Sequence, residues 1–355
     1  MIDTNTKGRM KARALAFAIA VGALAAPLDS AAALPVEGTL PSLAGATAWI
    51  NSPPLSPDDL KGKVVLLDVW TYTCINWLRT EPYVRAWAGK YKDQGLIVVG
   101  VHSPEFPFEH DLVNVRRAAA DMRVTYPIAV DNDFAIWNAL GNQYWPALYL
   151  VDAQGRIRYH QFGEGGYEEA ERAIQQLLVE AGRSGVARDL EKVTGLGLDA
   201  PAAWSDLKSP ENYVGYGRTE NFASPGGALA DKSRQYAVPS RLRLNQWALS
   251  GDWTMTKGAI ALNKPNGRIA YRFHARDVHL VMGPAADGKP IRFRVFVDGK
   301  APRAGHGTDV DDQGAGTVTT QRLYQLVRQP SPIDDRTFEI EFLDPGVEAY
   351  AFTFG

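Results

Sequence analysis

Residues 63–70, KVVLLDVW, form an apolar run of strand length interrupted by one acid, Asp68. A strand with one wet face would alternate apolar and polar residues. A continuous run needs cover on both faces, as in the middle of a parallel sheet flanked by helices. What comes next narrows the fold further. Cys74 follows closely, and from Asn76 to Tyr91 the period changes to that of a helix, with Leu78, Val84, Trp87 and Tyr91 sharing one broad face. A buried strand, a cysteine and a helix therefore succeed one another directly.

The neighbouring segments extend this pattern. A Pro- and Gly-rich lead-in carries a short strand near Ala46–Ile50. LIVVGVH (96–102) reads as a second buried strand, FEHDLVNVRRAAADM (108–122) as a helix, YPIAVD as a short strand and NDFAIWNAL (132–140) as a short helix closed by Gly141. ALYLVDA (147–153) and RIRYHQF (156–162) are strands joined at Gln154-Gly155, and GEGGYEEAERAIQQLLVEAG supplies a glycine turn and a last helix. Strands alternating with helices, then a hairpin and a helix, predict an α/β sandwich with a mixed sheet.

The pattern weakens around Arg183–Ala203. Beyond it, RIAYRFHARDVHLVMG, PIRFRVFVDG, RLYQLVRQ, TFEIEFLD and AYAFTFG are alternating or aromatic segments separated by PNG, ADG and DPG turns. Such spacing predicts an all-β sandwich of jelly-roll type. The expected organisation is an export signal over 1–33, an α/β domain over 34–185, a linker over 186–203 and a β-sandwich over 204–355.

The export signal is read from a basic start (Lys7, Arg9, Lys11, Arg13), an apolar core from Ala14 to Ala26 and small residues at Ala31-Ala32-Ala33. That core is short for a bilayer span, and no later stretch approaches spanning length, so a periplasmic or secreted mature chain without a transmembrane domain is expected, an anchor retained by an uncleaved signal being the lesser reading. A formal net charge of −2 argues against a polyanion partner, so no nucleic-acid role is expected. In an oxidising compartment the single cysteine cannot staple the chain to itself. It is a buried inert thiol, an intermolecular partner or a reactive group. Its place at a helix start predicts a stabilised thiolate.

DVWTYTCINWLRTEPYVRAW resembles the active-site segment of thioredoxin-fold redox proteins, and most closely the DipZ family of cytochrome c biogenesis and disulfide-transfer proteins. GVHSPEF (100–106), DNDFAIWNALGNQYWPALYLVD (131–152) and FGEGGYEE (162–169) extend the resemblance. NFASPGG, ALSGDWT and FLDPGVEAYAFTFG resemble that family's appended carbohydrate-binding-module-like domain. The resemblance implies a thioredoxin fold followed by the β-sandwich, and implies roles: Cys74 as the attacking cysteine, Pro146 as a cis-proline facing it, and Asp68 as the buried acid that assists the second cysteine. Larger members of the family carry a membrane electron-transfer domain, so the chain is expected to be a detached soluble version. Where the family has its second cysteine, however, this chain has Trp77. An indole cannot release a mixed disulfide, so the dithiol cycle is lost and Asp68, without its proton-transfer partner, is expected to be solvated, hydrogen-bonded or neutral.

Trp70, Tyr72, Trp77, Tyr144 and Trp145 are expected to line an apolar cleft, and His102 and Glu105 to reach it from the end of the second strand. A Cys–His ion pair with His102 and a turn-stabilising histidine both remain open. Thr71-x-x-Cys74 partly matches a peroxiredoxin pattern, although Leu67 holds the place of the proline such proteins carry upstream. The scattered histidines give no zinc spacing, and the loop from Asp309 lacks the twelfth-position carboxylate of a calcium site, so neither metal nor cofactor is expected. Trp204, Trp247, Trp253 and Tyr271 are read as sugar platforms or as sandwich core, a glycan role resting on fold analogy. The functional expectation is a thiol–disulfide oxidoreductase acting through Cys74 alone. Its partners would be protein thiols or disulfides, and a small external thiol would resolve the product. The alternatives are a non-catalytic peptide- or glycan-binding module and a one-cysteine peroxidase.

Overall fold

Seven strands among the described residues hydrogen-bond into one mixed sheet in the order β1-β7-β6-β3-β4-β5-β2. The structure is a computed structural model that describes residues 33–285 and 288–355. The export signal expected over 1–33 lies almost wholly outside the described residues. The elements of this layer are β1 (Gly38–Thr39), β2 (Ala48–Ile50), α1 (Pro57–Leu60), β3 (Val64–Trp70), α2 (Ile75–Lys90), β4 (Leu96–His102), α3 (Leu112–Asp121), β5 (Ile128–Val130), α4 (Ala135–Leu140), β6 (Ala147–Val151), β7 (Arg156–Phe162) and α5 (Tyr167–Glu180).

β3 sits mid-sheet, parallel to β4 and antiparallel to β6, and every one of its residues is buried. That is the physical meaning of its unbroken apolar run. Both faces are covered, so every position is closed to water, and the one acid, Asp68, is hydrogen-bonded within the fold. α2 buries Leu78, Val84 and Trp87, with Tyr91 at its C-cap, the face expected from their spacing. The helix expected over 108–122 is instead two pieces, a 3₁₀ turn at Pro107–His110 and α3. Asp111 separates them because its carboxylate accepts from the Val113 N–H at 2.8 Å, capping α3.

The segment 186–203 is tied down rather than free. Lys90 donates to the Asp189 carbonyl at 2.7 Å, the Glu191 N–H donates to Glu171 at 2.7 Å, and Arg328 donates to the Gly197 carbonyl at 2.8 Å.

The second layer is all β. Its strands are β8 (Asn212–Tyr213), β9 (Ser233–Tyr236), β10 (Trp247–Met255), β11 (Ile260–Leu262), β12 (Gly267–Phe273), β13 (Asp277–Pro284), β14 (Ile291–Val297), β15 (Ala315–Val318), β16 (Arg322–Arg328), β17 (Arg336–Phe342) and β18 (Val347–Phe354). They form one curled sheet, ordered β15-β14-β17-β12-β10-β11-β18-β13-β16 with β8 and β9 paired to its side. The curl occurs in β10. Its first half pairs with β12, and its second half, from Gly251, pairs with β9 and β11. Gly251 has φ +98°, and a side chain there would meet the Gly267 backbone at 2.9 Å, so the bend requires glycine. The two halves face each other across one core, as where Phe338 of one half meets Phe352 of the other at 5.8 Å.

That core contains Trp247, Trp253 and Tyr271, which are at most 1% exposed. These three rings are therefore sandwich core and not sugar platforms, and only Trp204, 60% exposed, faces solvent. The acidic loop from Asp309 is a polar turn, with the Asp311 carboxylate accepting from the Gln313 and Ala315 N–H groups.

Candidate functional site

Cys74 is the N-cap residue of α2, half-buried, with its Sγ 3.6 Å from the carbonyl oxygen of Trp145. The Trp145–Pro146 bond is cis. The loop that presents this carbonyl is pinned at several points. The Trp145 indole N–H donates to the Ser103 carbonyl at 3.0 Å, and Trp145 packs on Trp137. Asn142 donates to the Tyr144 carbonyl and in turn accepts from the Tyr149 hydroxyl. Sulfur, helix start and cis-proline loop thus meet at the C-terminal end of β3, the sheet edge where α/β folds gather ligands.

Trp77 is the feature that departs from a dithiol site. Its ring is fully buried and stacks on Trp70 with centroids 4.0 Å apart and planes within 19°. Its indole N–H donates to Asp68 Oδ2 at 3.0 Å, and the Tyr126 hydroxyl donates to the same oxygen at 3.1 Å. Asp68 is completely enclosed, and Oδ1 has no partner among the described residues. Burial raises its pKa from the ordinary 3.8 to about 7, against the lowering effect of those two donors. Glu81, one turn along α2 from Trp77, is also buried and raised to about 8, although Arg85 sits 3.0 Å from it. Two acids behind the indole are therefore held largely protonated at pH 6.

This arrangement sets a pH dependence. In the unfolded chain Asp68 loses its proton near 3.8, whereas in the fold it keeps it to about 7. Between these values the folded state binds more protons, so its stability falls as pH rises. Asp68 accounts for a decline of about 4 kcal/mol across that window, and Glu81 extends the decline toward pH 8. Urea midpoints measured from pH 5 to pH 8 should fall, and Asp68→Asn should flatten the part below pH 7. A pH slope left unchanged by that substitution would contradict the assignment.

The thiol itself differs from expectation. The N–H groups of Asn76 and Trp77 do favour the thiolate, as the helix start predicts. Burial outweighs them, and the carboxylates of Glu105 and Glu211 add to it, so the thiol is pushed up, not down. Cys74 therefore rests as a neutral thiol. This also weakens a peroxidase reading, which needs a ready thiolate. Thr71, moreover, is fully enclosed.

Three of the aromatic positions expected to line a cleft do not do so, and His102 does not reach one. Trp70, Trp77 and His102 are wholly buried and Tyr72 is 3% exposed. The rings pack on one another, Trp70 on His102 at 4.9 Å and Tyr72 on His102 at 5.8 Å. Burial lowers the His102 pKa to about 3, so a Cys–His ion pair is excluded and His102 is a neutral core ring. Trp145 and Glu105 are partly exposed near the sulfur, and Tyr144 is exposed with its ring against Phe162 at 5.1 Å.

Several residues of the site carried no sequence signal. Glu109 is buried and accepts from the Thr73 hydroxyl at 2.7 Å and from the N–H groups of Glu105 and Phe106 at 2.7 and 2.9 Å. It ties the residue before Cys74 to the loop after β4. Glu105 in turn accepts from the Tyr213 hydroxyl and from Arg218 at 3.1 Å, both in the second layer. Only the first part of this chain had a readable cue, the acid three residues into a turn that opens with Phe106-Pro107.

Both layers are similar in sequence to known proteins. Residues 38–177 match the family described as Redoxin, and residues 209–355 match the one described as Thioredoxin like C-terminal domain. Protein DipZ of Mycobacterium tuberculosis is 41% identical over 336 residues, 92% of this chain and 44% of DipZ. The chain thus spans less than half the length of that relative. Thiol-disulfide oxidoreductase YkuV of Bacillus subtilis is 33% identical over 141 residues, 40% of this chain and 95% of YkuV. A thioredoxin-like protein solved in solution in its oxidized form is 33% identical, with 40% of this chain and 96% of that one covered at a TM-score of 0.38.

Proposed function

The chain belongs to the thioredoxin-like thiol–disulfide oxidoreductases, in the two-domain form it shares with DipZ, and from that premise we propose that it exchanges disulfides through Cys74 alone. The observation that carries this reading is the pairing of Trp77 with Asp68. The indole occupies the second cysteine's position and donates to one oxygen of the acid that would have served it, while Cys74 keeps its place against the cis-proline loop. The fold thus retains capture and has lost internal release.

The chemistry is one exchange followed by another. Cys74 gives its proton to water, and its thiolate attacks one sulfur of a partner disulfide. The Cys74–partner S–S bond forms as the partner's own S–S bond breaks, and the leaving thiolate takes up a proton. An external thiol then attacks the mixed disulfide, forms a new disulfide with the partner and returns Cys74 as a thiol. The electrons come from the external thiol, and Cys74 ends as it began. The basic start and apolar 14–26 segment support an exported protein, where partner disulfides are common.

A non-catalytic binding reading draws on one observation, the resting thiol pushed up by burial and carboxylates. The pH profile of Cys74 alkylation separates the two. With iodoacetamide the rate should be slow at pH 7 and rise about tenfold per pH unit through pH 9 without a plateau. The mixed disulfide with a small disulfide should form and be reversed by added thiol. A thiol that fails to react with any small disulfide, even at pH 9, would leave only the binding reading standing.

A further inference from the structure

Cys74 is held between two walls, and one loop of the first layer reaches both. On one side the Trp145 carbonyl lies 3.6 Å from the sulfur, and the Trp145 indole N–H donates to the Ser103 carbonyl at 3.0 Å. On the other side the Thr73 hydroxyl donates to Glu109 at 2.7 Å, and Tyr72 packs on Phe108 with centroids 6.1 Å apart. The Ser103 N–H also donates to the Trp70 carbonyl at 3.0 Å. The loop 103–110 thus carries partners both for the turn before Cys74 and for the cis-proline loop.

This loop has little regular structure of its own. Residues 103–106 form no helix or strand, and a single 3₁₀ turn follows. Glu109 closes it from inside, accepting from the N–H groups of Glu105 and Phe106. Further support comes from the second layer. The Tyr213 hydroxyl and Arg218 donate to Glu105, and the Arg218 guanidinium lies 3.3 Å from the centre of the Tyr213 ring. Phe106 packs on Tyr213 at 6.2 Å and on Tyr350 at 5.3 Å, and Phe108 packs on Tyr350 at 4.8 Å. Tyr213 and Tyr350 lie on neighbouring strands, β8 and β18. A loop without a backbone ladder keeps one conformation only where such contacts hold it. The contacts run without a break from β8 and β18 to Thr73 and Trp145, a route by which a change at one end reaches the other.

We infer that Tyr213 and Tyr350 are positioning residues for Cys74: through the loop 103–110 they hold both walls of the site at the spacing that a disulfide of a partner protein requires. This rests on the reading that Cys74 exchanges disulfides. In the capture step the Cys74 thiolate forms an S–S bond to one partner sulfur as the partner's own S–S bond breaks, and the second partner sulfur leaves as a thiolate. The two tyrosines act on the walls and not on the reacting atoms. A small flexible disulfide can turn to meet the sulfur wherever it stands. A disulfide fixed in a folded chain must fit between the walls, so a displacement of about 1 Å penalises it selectively.

The test compares capture of insulin with capture of 2-hydroxyethyl disulfide by the whole chain at pH 9, read as Cys74 adducts by intact mass. The double variant Tyr213→Phe, Tyr350→Leu removes the hydroxyl on Glu105 and the ring on Phe106 and Phe108, and it alters no charge. It should lower the insulin rate about tenfold and the small-disulfide rate by less than about twofold. Tyr350→Phe, which keeps the ring, should stay within about twofold of the parent with both probes. Should the double variant fail to fold, Tyr213→Phe alone should lower the insulin rate about threefold. An insulin-to-small ratio unchanged in a folded variant overturns the positioning role and leaves exchange intact. So does an equal fall with both probes, which marks a change in the thiol itself, and so does a parent chain that captures only the small disulfide. No adduct with either probe in the parent chain overturns exchange and the positioning role with it.

Discussion

Trp77→Ala is expected to lower the unfolding free energy by about 4 kcal/mol, the middle of the range for tryptophan truncation in a core. The ring is fully buried and stacked on Trp70, so its removal opens a cavity between α2 and β3. It also deletes one of the two donors on Asp68, leaving Tyr126 alone on an enclosed carboxyl group. Because the indole N–H favours the charged acid, Asp68 should ionise still higher in the variant, and the deficit should be larger at pH 8 than at pH 5. Trp77→Phe separates the two contributions. It keeps most of the apolar area and loses only the N–H, for a cost of about 1–2 kcal/mol. Urea unfolding followed by circular dichroism gives both numbers. A Trp77→Ala loss below about 1 kcal/mol would mean the indole is not the plug that its burial and stacking describe.

The parts of the site that could be read from the chain are those set by neighbours in sequence. The seven residues of β3 declare double-sided burial by being apolar, and the spacing of Leu78, Val84 and Trp87 declares one face of α2. The helix start at Cys74 follows from the same local logic. What could not be read depends on groups brought together by the fold. The thiol was expected to be acidic because a helix N-terminus is a local property. The opposing carboxylates come from the loop after β4 and from the second layer, more than 100 residues away in the case of Glu211. Without its cysteine, Asp68 is expected to be solvated, neutral or hydrogen-bonded to a partner. That the partner would be the very residue displacing the second cysteine, helped by Tyr126 from the turn before β5, required the sheet register. β10 escaped a pattern reading because it changes partners at Gly251, so its two halves bury side chains in different phases. The aromatic residues around Cys74 were read as a cleft because rings near a reactive group suggest ligand contact. Trp70, Tyr72 and His102 instead fill the space behind it.

Trp77→Cys should convert the site. Positions 74 and 77 lie in the first turn of α2, where i and i+3 Cα atoms are separated by about 5 Å, inside the range a disulfide accepts. The new sulfur would replace the indole near Asp68, a buried acid whose raised pKa suits it to exchange a proton with a resolving thiol. Mild oxidation should then remove both thiols from alkylation, and dithiothreitol should return them. Insulin reduction should rise at least tenfold or so over the parent chain, since release no longer waits for an external thiol. The substitution also opens a cavity, so Trp77→Ser serves as the matched control. It loses the same packing and hydrogen bond and brings no sulfur, and any gain unique to cysteine is chemical. If the cysteine variant folds with a circular dichroism spectrum like that of the serine variant yet forms no intramolecular disulfide, the two positions are not in a redox geometry. The resting place of Cys74 against Trp145 would then be a packing contact inherited by the fold, not a nucleophile's position.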